Sequence, residues 1–89
     1  MARMDFSSRD MIECAAQGGQ PDALFELGLM YCAGRDVNVD LVQAHKWFNL
    51  AAMRGNEEAK QYRLELSREM VKTEVAKAQK LAREWLCVH

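Results

Sequence analysis

The chain has 89 residues, 49% of them apolar and 28% charged, with five glycines, one proline and a formal net charge of −1. That length supports one hydrophobic core and not two, and the scarcity of glycine and proline argues against a many-turned β-sandwich. The near-zero charge provides no overall field towards nucleic acid or an anionic membrane, and no apolar run approaches the roughly 18 residues of a membrane span.

In chain order, the apolar periodicity predicts five helices, at about Ser8–Gln17, Asp22–Ala33, Asp40–Arg54, Asn56–Met70 and Lys72–Leu86. Gly18-Gly19 ends the first. Leu24, Leu27, Gly28 and Tyr31 form the apolar stripe of the second, which Gly34 terminates. Asp40 offers a side-chain acceptor to the exposed amides of the third, whose stripe is Leu41, Ala44, Trp47, Phe48 and Ala51. Gly55-Asn56 both ends the third helix and caps the fourth. Val71 is a poor cap, so the sequence leaves open whether the fourth and fifth helices run together.

An internal repeat underlies this order. Residues 15–23 align with residues 51–59 at an offset of 36, matching paired alanines, a glycine and a final alanine; Met11-Ile12 then lies over Trp47-Phe48. A period of this length marks a repeat architecture. The short link Gly34–Asp40 makes the second and third helices antiparallel neighbours. Gly28, with no side chain, permits close approach, as do Ala44, Ala51 and Ala52 from the facing helix, while Tyr31 and Trp47 fill the space that remains. A ligand-stacking role for Tyr31 and Trp47 is the alternative to core packing.

Ala23, Leu27, Gly28, Tyr31, Gly34, Val37, Asp40, Ala44, Trp47, Ala51, Ala52, Gly55 and Ala59 together resemble the signature of Sel-one-like repeats, relatives of the tetratricopeptide repeats. The resemblance implies an all-α fold, a short α/α solenoid with one complete repeat at 22–57, a preceding half-repeat at 8–21, and a degenerate half-repeat plus capping helix over 58–89. Asp36 replaces the family's second loop glycine, which is tolerable because Asp enters left-handed backbone geometry more readily than most residues. The offset maps Leu27, Gly28 and Tyr31 onto Arg63, Leu64 and Ser67, so the signature has decayed by the fourth helix. Residues 76–85 are similar to the terminal helix of small bacterial members. The resemblance further implies a binding module whose inner face comes from the first helix of each pair, with Glu26, Leu29, Met30, Arg63 and Leu64 as candidate partner contacts.

Little in the chain suggests chemistry. Its histidines are His45, read as a solvent-facing or half-buried structural residue, and His89. Cys87-Val88-His89 offers a metal only two ligands, and there is no phosphate-binding loop. Neither a catalytic site, a cofactor nor a metal is predicted. Cys14, Cys32 and Cys87 are odd in number and follow no metal-ligand spacing, so the thiols are expected to be free and the protein cytoplasmic. Charge is uneven: residues 1–59 carry five basic against nine acidic side chains, residues 60–84 seven against four. Lys72, Lys77, Lys80 and Arg83 line the last helix, but Glu74 and Glu84 intervene and no aromatic ladder accompanies them, which disfavours nucleic-acid binding. The expected partner is another protein. The first helix, with Met11, Ile12, Ala15 and Ala16, lacks a preceding helix to cover it, so Ile12 is also a candidate contact in a homodimer.

Overall fold

A computed structural model of the chain describes residues 15–88. Most of the first predicted helix, including Ile12 and Cys14, and the terminal His89 lie outside the described residues, as does the predicted dimer contact. Residues 15–17 form a helical turn, closed where Gly18 N–H donates to Ala15 O and Gly19, at φ 76°, donates to Ala16 O. Four helices follow: α1 (Pro21–Ala33), α2 (Leu41–Met53), α3 (Glu57–Glu69) and α4 (Lys72–Val88). No helix among the described residues is long and apolar enough to cross a membrane.

The helix ends follow from local chemistry. Pro21 opens α1 at a position where the missing N–H costs nothing and the fixed φ suits the helix. Gly34, at φ 74°, closes it by donating its N–H to Met30 O. Asp36 adopts φ 63°, the left-handed geometry expected where the family has glycine. Asp40 Oδ1 accepts from Gln43 N–H at 3.1 Å to start α2. Asn56 Oδ1 accepts from Ala59 N–H at 2.9 Å to start α3. The fourth and fifth predicted helices are separate: Met70 is extended (ψ 148°), and Glu74 reaches back one turn to accept from Val71 N–H at 3.1 Å. That carboxylate supplies the cap Val71 lacks.

α2 is the central element, and α1, α3 and α4 each pack against it. Leu24, Leu27 and Met30 of α1 meet Ala44, Phe48 and Ala51 of α2 in a fully buried seam. A Cβ on Gly28 would overlap the Phe48 ring, so the close approach is real, and the side chain that uses it is Phe48, beside the expected alanines. Trp47 is half-buried and turned instead to α4, where its ring meets Trp85 edge-on at 6.1 Å. Tyr31 is half-buried beside the 34–40 loop. Adjacent helical residues point roughly 100° apart, which is why one aromatic serves α1 and its neighbour serves α4. α4 lies back on α2 through Ala78, Ala82 and Trp85, the capping position expected of it.

Candidate protein-binding groove

Three contacts fix how α1 and α3 lie. Asn56 Nδ2, capping α3, donates to Asp22 Oδ1 at 3.4 Å; Phe25 meets Tyr62 edge-on at 5.3 Å; Cys32 and Glu69 line one cavity. Residue numbers rise together on both helices, so α1 and α3 run parallel, side by side on α2. Between them lies a groove of about 170 Å³ lined by Cys32, Phe48, Tyr62, Glu65, Leu66 and Glu69. Phe48 forms its floor, with ring centroids 5.4 Å from Tyr62 and 5.8 Å from Phe25.

The groove is built by two stripes at helical spacing. Phe25, Leu29 and Cys32 on α1 are half-buried; Tyr62, Leu66 and Glu69 on α3 pass from exposed to buried to exposed. Tyr62 is 41% exposed although its ring packs on two phenylalanines, the profile of a side chain that can seat a partner on its open side. Burial, and then the Glu69 carboxylate, push the Cys32 thiol above its ordinary pKa. It is therefore a weak nucleophile and behaves as apolar lining.

Of the residues proposed from sequence, few meet here. Leu29 is half-buried on the α1 stripe, and Glu26, also on α1, is held by Arg35 at 3.2 Å. Met30 is fully buried in the core and is withdrawn as a contact: it sits one step round the helix, facing α2. Arg63 points to α2, donating to Asn49 Oδ1 at 2.7 Å. Leu64 is 46% exposed, but two residues from Tyr62 place it on the opposite side of α3. Phe25, Cys32, Tyr62, Glu65 and Glu69 are not among the partner contacts expected from sequence, though the 25/29/32 and 62/66/69 spacings are present in it.

Among the described residues His45 is the one buried polar side chain, 2% exposed, and not solvent-facing or half-buried as expected. Its Nε2 lies 2.9 Å from Ser67 Oγ, and the hydroxyl donates its only proton to Arg63 O at 2.8 Å. The imidazole must therefore donate from Nε2, leaving Nδ1 as a buried lone pair without a partner. Burial, reinforced by the nearby Arg63 guanidinium, lowers the His45 pKa. A serine that donates to a carbonyl and accepts from the imidazole is not poised as a nucleophile, so this pair is a structural tie between α2 and α3.

The segment that spans α1, the loop and α2 has a counterpart among known families: residues 21–56 match the family model described as Sel1 repeat. Residues 21–56 form a Sel1 repeat. No curated protein and no solved structure gives a significant match. Sel1 repeats are helical and generally mediate protein–protein interaction. Within this Sel1 repeat, Leu27, Gly28, Ala44 and Ala51 of the predicted signature are buried in the α1–α2 seam, Gly34, Asp40 and Gly55 shape its turns, and Ala52 packs half-buried against the core. Ala59, three residues past the matched segment, is fully buried and anchors α3 to it.

Proposed function

We propose that the chain is a non-catalytic adaptor that binds another protein in the α1–α3 groove. The observation that carries this reading is the half-covered aromatic wall, with Tyr62 and Phe25 packed over Phe48 and open on one side. An apolar anchor entering such a concavity gains most of its binding energy from desolvated aromatic contact. A cytoplasmic setting accords with the thiols of Cys32 and Cys87, both free. Among the described residues no three His, Cys, Asp or Glu side chains converge as metal ligands, and the buried His45 is occupied with Ser67. The exposed bases of α4 are interrupted by Glu74 and Glu84, so nucleic acid remains the less favoured partner.

A photo-cross-linking test decides the matter. With Tyr62→p-benzoylphenylalanine in the native cell, a defined protein should be captured that the same side chain at Lys77, on the outer face of α4, does not capture. Equal capture from both positions would remove the groove as the binding face.

A further inference from the structure

The charge of the groove is one-sided. Its lining carries Glu65 and Glu69 and no basic residue, and α1 holds no lysine or arginine along its length. Glu58, Tyr62, Glu65 and Glu69 succeed one another at helical spacing on one exposed stripe of α3. Arg68, the basic residue of the last turn of α3, sits roughly 100° round the helix from Glu69. Because α1 and α3 run parallel, their negative C-terminal ends meet at the Cys32–Glu69 end of the groove and add to the field of the carboxylates. Cys32 already registers that field, since Glu69 joins burial in holding its proton on.

We infer that the groove receives an amphipathic, cationic segment of a partner protein: an apolar side chain seats against Tyr62 and Phe48, and flanking lysines or arginines meet Glu65 and Glu69. The inference rests on the protein-binding reading of the groove and adds the chemistry of what binds. Size agrees with an anchoring side chain, because about 170 Å³ falls short of the roughly 300–1,000 Å³ of small-molecule sites. A second copy of this chain fits less well. Its basic helix α4 presents Lys72, Lys80 and Arg83, but the apolar stripe beside them, Val75, Ala78, Ala82 and Trp85, is spent on α2.

The test uses the full chain and two fluorescein-labelled helical peptides that share one leucine stripe, one with lysine and one with glutamate at the polar positions. Anisotropy titrations at low salt should show the lysine peptide binding at least about tenfold more tightly, with the preference shrinking as salt rises. Glu69→Lys should weaken the lysine peptide by roughly tenfold, whereas Glu84→Lys, the same charge change on α4, should alter it less than about twofold. Equal affinities for the two peptides, or equal losses from the two substitutions, would overturn the cationic partner. Tyr62→Ala separates the two readings. If it weakens both peptides alike and charge has no effect, the groove stands and the cationic class falls; if it changes neither, both fall. Self-association of the free chain that Glu69→Lys abolishes would give the groove to a second copy and overturn the inference.

Discussion

α1 and α3 occupy equivalent places on α2, yet they are held there by different means. α1 buries Leu24, Leu27 and Met30 to 1% exposure or less and brings Gly28 against Phe48. α3 buries only Ala59 and Leu66, and adds polar ties: His45 to Ser67 and Arg63 to Asn49. Apolar burial yields about 25 cal/mol per Å², whereas a neutral hydrogen bond nets only about 1 kcal/mol because water competes for it. The first attachment is therefore expected to be the more stable of the two, and α3 to open before α1.

The largest test of that contrast is Gly28→Leu. Its side chain would overlap the ring of the fully buried Phe48, so the substitution should cost about 3 kcal/mol or more and leave little folded protein in a thermal melt. Leu66→Ala should cost about 2 kcal/mol, near the low end for buried leucines because α3 can settle over the gap. Hydrogen exchange should place most of that loss in α3 amides; an equal loss in α1 would show the two attachments to be one cooperative unit.

Acid sharpens the comparison further. The folded pKa of His45 lies below its ordinary 6.5, so the unfolded chain binds the proton more readily. This contribution to stability does not change with pH above that ordinary value, and it is lost as pH falls below it, because protonation would place an N–H on Nδ1 with no acceptor and a charge near Arg63. α3 amides should lose protection first as pH drops from 7 to 5, and His45→Gln should flatten that response. A profile unchanged by the substitution would remove His45 as its source. The smallest effect belongs to Arg35→Ala. Its pair with Glu26 is about half exposed on both sides, so the melting temperature should barely move, within about 0.5 kcal/mol of the parent.

What could be read from sequence follows the range of the forces involved. Gly34, Asp36, Asp40 and Asn56 are governed by their own backbone and a neighbour three or four residues away, and the structure finds each where its chemistry places it. The choice between Phe48 and Trp47 depends on which of two helices each ring meets, and a single helical period does not carry that information. The break at Met70-Val71 was ambiguous because its cap comes from Glu74, downstream of the break. The groove was the least legible part. It arises between stripes more than 30 residues apart, on a helix whose repeat signature has decayed, and the first-helix face that the resemblance implies includes Met30, which the core claims, in place of Phe25 and Cys32.

The Trp47–Trp85 contact has a practical consequence for anyone who watches this protein fold. These are the only two tryptophans in the chain, and their rings sit 6.1 Å apart at 81°, with Lys46 Nζ 4.2 Å from the Trp47 centroid. Indole emission and near-ultraviolet dichroism therefore report the seam between α2 and α4. Local release of α3, whose aromatic is Tyr62, passes largely unseen in that signal. A fluorescence melt will register the late event and miss the early one, and a tyrosine-selective or backbone probe will show a transition that starts sooner.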